Sequence, residues 1–263
     1  MLRENEALEV ATVHSVASRF GSSPAFGLRP FRDPHHTASA AAMVGGGSPP
    51  RPGEVSLAHR GVLFLDELPE FDRRVLEVLR EPLEAGDVVI ARARMSVRFP
   101  ARFQLVAAMN PCPCGYLGDP SGRCRCTPNS LQRYQARLSG PLLDRIDLRV
   151  QLTRVAESEW QAVAGASGPN TVEAAAQVMA ARRIQLERSG VLNAALSSAQ
   201  LVENLGMSMP ARQLLLAVSA KMQLSARAKQ RVERVARTLA DLDASAAIAP
   251  GHVAEALQLR RSN

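Results

Sequence analysis

The sequence predicts an α/β protein, a parallel sheet with helices, followed by an all-helical C-terminal domain. Two short apolar runs, Val62–Leu65 and Phe103–Met109, are typical of strands buried on both faces of a parallel sheet. A helical pattern separates them, and strands that alternate with helices favour the α/β class. From Thr171 onward only helical patterns follow, which predicts the separate helical domain.

Local patterns predict the other elements of the first domain. Asn5–Phe20 is predicted to be a helix, and residues 21–60, rich in glycine, proline, histidine and serine, a loop or inserted hairpin outside the core. Asp72 can cap a helix that runs through Leu83. The last two predicted elements are a hairpin at Val88–Phe99, with its tip near Ala93 and Arg94, and a third strand at Arg149–Leu152.

The composition of residues 157–170, rich in alanine, glycine and serine, predicts a linker. We therefore expect a first domain at 1–156 and a second at 171–263. Within the first, we expect an insert at 29–60 and a four-cysteine loop at 112–126. Helix starts in the second domain are predicted at Thr171, at Ser197 or Ser198, and at Ser208, Ser225 and Pro250.

Composition excludes several classes of protein. A chain of 263 residues that is 46% hydrophobic is long enough for a buried core and argues against disorder. No apolar run approaches the roughly 20 residues of a membrane helix, and no secretory signal pattern follows Met1, so a cytoplasmic protein is expected. The net charge of +7, carried by arginine with only Lys221 and Lys229 besides, suggests a nucleotide or nucleic-acid partner. Genomic base composition equally explains the shortage of lysine.

Two adjacent carboxylates, Asp66 and Glu67, end the first apolar strand, at the end of the sheet where α/β proteins bind ligands. Asp66 is a candidate ligand of hydrated Mg²⁺, and Glu67 could orient the water that attacks a γ-phosphate. Two solvated acids are the alternative. Asn110 ends the next strand and could hold that water or phosphate, although asparagine before proline is also a common turn.

Arg145 follows a predicted short helix and is a candidate arginine finger for the phosphate of a neighbouring subunit. The alternative is a local ion pair with Asp144 or Asp147. His35 and His36 are adjacent, so their side chains point to different faces. A contact within the insert or to nucleic acid is therefore favoured over a shared metal.

Four cysteines form two Cys-x-Cys pairs nine residues apart: Cys112, Cys114, Cys124 and Cys126. In a cytosolic chain, such thiols indicate metal ligands rather than disulfides. Four thiolates suit tetrahedral structural zinc, so we predict one zinc site, with four unliganded thiols as the alternative.

Basic residues also accumulate in and after the predicted hairpin, where the only acid is Asp87. A projecting hairpin of this kind can track a phosphate backbone without contacting bases. A solvated basic face is the alternative. The candidate DNA-binding residues are Arg92, Arg94, Arg98 and Arg102.

Longer segments support a family assignment. They begin at Phe31, Gly53, Gly61, Arg74, Ala107 and Leu138, and include Gly61-Val-Leu-Phe-Leu-Asp-Glu-Leu-Pro-Glu-Phe and Ala107-Ala-Met-Asn-Pro-Cys-Pro-Cys-Gly. These segments resemble the magnesium-chelatase-like AAA+ ATPases and, among them, the ComM group of YifB-like proteins. The resemblance covers nearly the whole chain.

The resemblance implies a role for each matching residue. Asp66 and Glu67 correspond to the Walker B pair, Asn110 to sensor 1, Arg145 to the arginine finger and Arg227 to the ATP-binding sensor 2 residue. It implies a pore hairpin before the sensor 1 strand, a partial AAA+ P-loop NTPase core and a C-terminal lid. It also implies ATP with magnesium, a hexamer, and a DNA motor that promotes branch migration in natural transformation.

The chain departs from the family in its lysines. A P-loop lysine follows glycine and precedes serine or threonine, whereas Lys221 and Lys229 both follow alanine. We therefore expect an N-terminally truncated fragment with little ATPase activity of its own and an exposed apolar sheet edge. The alternatives are a magnesium chelatase ATPase subunit, acting on a porphyrin complex, and a non-enzymatic remnant or interaction module.

Overall fold

The computed structural model describes residues 1–17, 25–92, 95–119, 121–152 and 170–260. It divides the chain into two compact units, Met1–Ile146 and Asp147–Asn263. The predicted fold class is confirmed, because a parallel sheet with helices is followed by a helical region. Within the described ranges, no helix is long and apolar enough to cross a bilayer. The predicted linker, apart from Asn170, lies outside those ranges.

The first unit, the sheet unit, is built from short elements. In chain order they are α1 (Glu4–Ala17), β1 (Phe31–Arg32), α2 (Ala40–Val44), β2 (Gly45–Gly46), β3 (Arg51–Pro52), α3 (Glu54–Leu57), β4 (Val62–Leu65), a 3-10 turn at Leu68–Glu70, α4 (Arg73–Val78), α5 (Arg80–Ala85), β5 (Asp87–Arg92), β6 (Met95–Pro100), β7 (Gln104–Ala107), α6 (Pro128–Gln135) and α7 (Gly140–Leu143).

Three of these strands form a parallel sheet in the order β1-β4-β7. Alternate residues of the central strand, Leu63 and Leu65, are fully buried. The outer strand β7 is different, since Val106 and the nearby Met109 are more than two-fifths exposed. The expected apolar edge is therefore present on β7.

The prediction that residues 21–60 lie outside the core is wrong for much of the described part. Strand β1 pairs with β4, and Met43, Val55 and Ala58 are fully buried. Glycine and proline marked the turns correctly but concealed the apolar residues between them. Gly53 permits the close packing here, because a Cβ at this position would lie 2.4 Å from the nitrogen of Gly45.

The helix predicted after Asp72 is capped as expected, since Asp72 Oδ1 accepts a hydrogen bond from the backbone N–H of Arg74 at 2.7 Å. It is split, however, into α4 and α5 at Leu79. Pro82 lies in the first turn of α5, where its missing N–H is tolerated, and it cannot continue a helix from α4. The described part of the first helix ends at Ala17, so the predicted extension to Phe20 lies outside the described residues.

The predicted hairpin is present as the antiparallel pair β5–β6. One face, with Val88, Ile90 and Phe99, is buried in the core. The tip residues 93 and 94 are outside the described ranges.

The prediction of a strand at Arg149–Leu152 is wrong, because these residues have no regular secondary structure. A strand of a parallel sheet forms only by pairing with a neighbour. The backbone N–H of Arg149 instead donates to the carbonyl of Leu259 at 2.6 Å. Val150 and Leu152 are exposed.

In the described part of the second unit, the helical unit, five α-helices pack around an apolar core of their own. Serines 197, 208 and 225 cap their helices as predicted, whereas the first cap is Asn170 instead of Thr171. The helices are α8 (Thr171–Ser189), α9 (Ser198–Asn204), α10 (Met209–Lys221), α11 (Ala226–Leu242) and α12 (Pro250–Arg260), with a 3-10 turn at Asn193–Ala195.

Candidate functional site

The carboxyl ends of β4 and β7 bring three of the predicted site residues to one edge. Asp66 and Glu67 directly follow β4, and Asn110 follows β7. Hydrogen bonds join the two strand ends, since the N–H of Ala108 donates to Leu65 at 3.0 Å and the N–H of Leu68 donates to Ala108 at 3.0 Å. We call these three candidate catalytic residues, Asp66, Glu67 and Asn110, the catalytic edge.

The backbone at Glu67 is left-handed, with φ 51° and ψ 45°. Its N–H donates to Asp66 Oδ1 at 2.8 Å, which links the two acids of the pair. The left-handed turn directs the chain into the 3-10 turn and leaves the Glu67 carboxylate half-exposed. Both carboxylates can therefore be reached from solvent.

A histidine that the sequence did not connect with this edge contacts it. Nδ1 of His36 lies 3.2 Å from a carboxylate oxygen of Glu67. The His36 ring lies tilted by 33° against the ring of His35, at 4.1 Å between centroids, and it meets the Phe71 ring edge-on. The sequence favours side chains on different faces and a contact within the insert or to nucleic acid, whereas the two rings lie against each other and His36 contacts a residue outside the insert. No spacing rule joins residues so distant in sequence.

Arg145 is engaged within its own unit. Its guanidinium forms an ion pair with Glu84 of α5 and donates to the carbonyl of Pro141 at 2.7 Å. The sequence suggests a local partner, Asp144 or Asp147, whereas this ion pair joins residues that are 61 positions apart. Asp147 pairs instead with Arg231 in the helical unit, at 3.1 Å.

Arg227 lies in the first turn of α11, two residues after the cap Ser225, and its side chain is exposed. It belongs to the helical unit, whereas the catalytic edge belongs to the sheet unit. Its predicted role in ATP binding therefore stays a prediction.

Of the four candidate DNA-binding arginines, the structure describes the side chains of Arg98 and Arg102. Arg98 lies on the exposed face of β6, 3.5 Å from Asp87. Arg102 lies beyond the hairpin, where its backbone N–H donates to His59 at 3.0 Å. Arg94 and the side chain of Arg92 lie outside the described residues.

The four cysteine sulfurs lie within 4.8 Å of one another and form no disulfide. Sγ of Cys114 is 3.4 Å from that of Cys112, 3.7 Å from Cys124 and 3.3 Å from Cys126. A tetrahedral site with bonds of about 2.3 Å places its sulfurs roughly 3.8 Å apart. The thiols are thus arranged as a four-coordinate metal site requires.

The local backbone favours a thiolate at Cys114. N–H groups of Tyr116 and Arg125 donate to its sulfur and lower the pKa of this thiol to about 6. The hydrogen bond with Cys114 raises the pKa of Cys126 to about 11. Gly115 makes the turn possible, because its φ of 79° suits glycine and its N–H donates to Cys112.

Comparison with known proteins supports the predicted resemblance. A family model described as magnesium chelatase, subunit ChlI, matches residues 1–160, and a model of the C-terminal part of that subunit matches 168–260. The chain is 45% identical over 256 residues to the competence protein ComM of Haemophilus influenzae, covering 97% of this chain and 50% of that protein.

The uncharacterized protein YifB of Escherichia coli is 45% identical over 260 residues, covering 98% of this chain and 51% of that protein. A magnesium-chelatase 38 kDa subunit of Cereibacter sphaeroides is 37% identical over 60 residues, 23% of this chain and 18% of that subunit. The chain spans about half the length of the ComM and YifB relatives that it matches.

Proposed function

We propose that this chain is part of an ATP-driven AAA+ motor acting on DNA, because the chain belongs to the magnesium chelatase ChlI family and 97% of its own length matches ComM. The observation that carries the proposal is the catalytic edge, where the hydrogen-bonded ends of two parallel strands bring Asp66, Glu67 and Asn110 together. This combination suits hydrolysis of a magnesium-bound nucleoside triphosphate.

Each residue of the edge has a chemical role in this proposal. Asp66 offers the carboxylate oxygen that Mg²⁺ prefers as a ligand. Glu67 accepts a proton from the attacking water as its oxygen bonds to the γ-phosphorus and ADP leaves. The Asn110 amide can hold that water or a phosphate oxygen. Arg145 would act in a hexamer, on the nucleotide of a neighbouring subunit, with Arg227 contributing from the lid.

We infer that this chain has little or no ATPase activity by itself, because neither lysine lies in a phosphate-binding sequence. A fusion tests the larger proposal. The P-loop-containing half that the resemblance implies for the Haemophilus ComM protein would be joined to this chain. DNA-stimulated ATPase activity and a hexameric mass in light scattering are expected of the fusion.

Glu67→Gln in the fusion should reduce the turnover number by at least about 100-fold, as loss of a general base does. Glu81→Gln, which removes an exposed carboxylate of α5, is the matched control and should leave turnover nearly unchanged. Glu67-dependent turnover by the unfused chain would contradict the inference of inactivity. A fusion that binds ATP but hydrolyses none would contradict the motor.

DNA contact is proposed for Arg92 and Arg94 at the hairpin tip. Each phosphate contact contributes about 0.7 to 0.9 to the slope of log affinity against log salt, so the double alanine variant should lose up to about 1.8. Arg182→Ala with Arg183→Ala, on α8, removes the same charge elsewhere and is the control. An unchanged slope in the hairpin variant would contradict the contact.

Branch migration is a separate part of the proposal. It would be tested by adding the fusion and ATP to branched DNA junctions and measuring whether the junction moves.

Zinc is the metal that we propose for the four-cysteine loop. Four thiolates in a tetrahedral arrangement favour zinc over the hard cations, which prefer oxygen. Purified protein should contain about one zinc ion per chain. Four freely titratable thiols and no zinc would contradict the proposal. We further place the motor in the cytoplasm, where reduced thiols can bind a metal.

A further inference from the structure

The four-cysteine loop joins two parts of the sheet unit that both contact the catalytic edge. Cys112 and Cys114 follow Asn110 at the end of β7, whereas Cys124 and Cys126 precede Thr127, the capping residue of α6. A metal that binds both pairs therefore fixes the start of α6 against the end of β7. Cys112 is fully buried, so this end of the loop is packed into the unit.

Helix α6 reaches back to Asn110. The hydroxyl of Tyr134 donates to the main-chain carbonyl of Asn110 at 3.1 Å. Tyr134 is only 7% exposed, and burial raises the pKa of its hydroxyl. This neutral hydroxyl therefore acts as a hydrogen-bond donor to the residue that follows β7.

The segment just after α6 contacts the turn that follows β4, the other strand that ends at the catalytic edge. The guanidinium of Arg137 donates to the carbonyl of Pro69 at 2.7 Å and to the carboxylate of Glu70 at 2.7 Å. Both acceptors lie in the 3-10 turn that begins directly after Glu67. Through Tyr134 of α6 and Arg137 just after it, this segment thus contacts Asn110 and the turn that follows Glu67.

We propose that the metal-bound loop is a clasp that positions the catalytic edge by holding α6 in place. The proposal rests on the proposed zinc site. Among its described residues the loop has no regular secondary structure, so ordering it costs conformational entropy. Metal–thiolate bonds offset that cost, as they do in small zinc domains. Tyr134 is then a positioning residue and has no contact with substrate of its own.

Hydrogen exchange of the whole chain tests the clasp. Zinc would be removed with a chelator under reducing conditions and then restored. Amides of residues 66–70, 104–110 and 128–137 should exchange at least about tenfold faster without zinc and recover when it returns. Helices α8 and α11 of the helical unit are the internal control and should not change.

Two variants separate positioning from folding. Tyr134→Phe should keep its zinc, shown by metal analysis and by the thiolate charge-transfer bands of the cobalt-substituted protein. It should nevertheless speed exchange around Ala108. Cys124→Ser with Cys126→Ser should lose the metal and reproduce the zinc-free pattern. Should that variant fail to fold, the chelator experiment still gives the comparison.

The outcomes are distinguishable. Zinc that is bound but whose removal leaves exchange at residues 66–70 and 104–110 unchanged would overturn the clasp and leave the zinc site standing. Protein that retains neither zinc nor cobalt would overturn both. Tyr134→Phe with wild-type exchange would overturn the role of Tyr134. None of these measurements requires nucleotide or DNA, so they are independent of the proposed motor activity.

Discussion

The two units differ in how they treat residues that need a partner: the helical unit buries and pairs its charged side chains, whereas the sheet unit leaves apolar side chains exposed on an outer strand. In the helical unit, Arg237 and Asp241 are both buried and pair within α11, and Arg188 and Asn193 donate to the same carboxylate. In the sheet unit, the comparable positions at the edge are open: Val106 is exposed, and β7 has a strand on one side only among the described residues.

The difference indicates where each unit can change without losing its fold. A buried ionic network requires every partner, because an unpaired buried charge is strongly destabilising. An open edge tolerates substitution and can accept a further strand. The helical unit thus depends on a buried ionic network, whereas the sheet unit presents its catalytic edge beside a strand that, among the described residues, is paired on one side only.

The largest expected effect is in the helical network. Asp241→Ala leaves two guanidinium groups without their carboxylate and should lower the free energy of unfolding of this unit by about 3–5 kcal/mol. The measurement is calorimetry of the intact chain, in which the midpoint temperature of the helical unit's transition should fall and that of the sheet unit's transition should not. Arg183→Ala, which breaks the exposed pair with Glu187, should cost less than about 0.5 kcal/mol. Equal effects would contradict the comparison.

Within the sheet unit, substitutions in β4 and in β7 should have very different effects on stability. Leu65→Ala in β4 removes a fully buried side chain and should cost about 2–5 kcal/mol. Val106→Ala in β7 should stay within about 0.5 kcal/mol, as surface substitutions do. The measurement is the midpoint of the calorimetric transition that Asp241→Ala leaves in place. A large loss in Val106→Ala would show that β7 is covered in solution.

The smallest effect is a dependence on pH in the sheet unit. Burial lowers the pKa of His59, whose Nδ1 accepts the N–H of Arg102 and whose Nε2 lies 3.1 Å from Glu9. The unfolded chain then binds the proton more readily, so stability is full above about pH 6.5 and falls below it. Calorimetry at pH 7.5 and 5.5 should show this in the sheet unit.

His59→Asn should flatten that dependence, with a remainder from His14, whose pKa burial also lowers. The helical unit provides the contrast. Burial alone would raise the pKa of Asp241, but the hydrogen bonds from Arg188 and Asn193 outweigh it and the pKa is lowered. That stabilisation should persist down to about pH 4. Loss of stability in both units at the same acidic pH would contradict this assignment.

The sequence predicted well wherever local chemistry decides the structure. Apolar runs identified β4 and β7, serine caps identified three helices of the second unit, and the cysteine spacing identified a cluster that the structure brings together. Each of these signals is contained within a few neighbouring residues. The catalytic edge was predictable for the same reason, because strand ends that carry polar residues meet at one side of a parallel sheet.

The misses concern partners distant in sequence. Arg145 binds Glu84, and His36 contacts Glu67, neither of which follows from spacing. The strand predicted at Arg149–Leu152 has the right residues but no neighbour to pair with in the described structure. Strand formation is a property of a pair, so residue pattern alone could not decide it.

The left-handed backbone at Glu67 has an evolutionary consequence. An L-residue with a side chain adopts this conformation at a cost of roughly 1–2 kcal/mol, which glycine avoids and asparagine reduces. In a lineage where the edge had no chemistry, drift would favour those replacements, since nothing would oppose the gain in stability. Glycine or asparagine at this position in related sequences would therefore indicate an edge without chemistry, whereas a retained glutamate would indicate selection for its carboxylate.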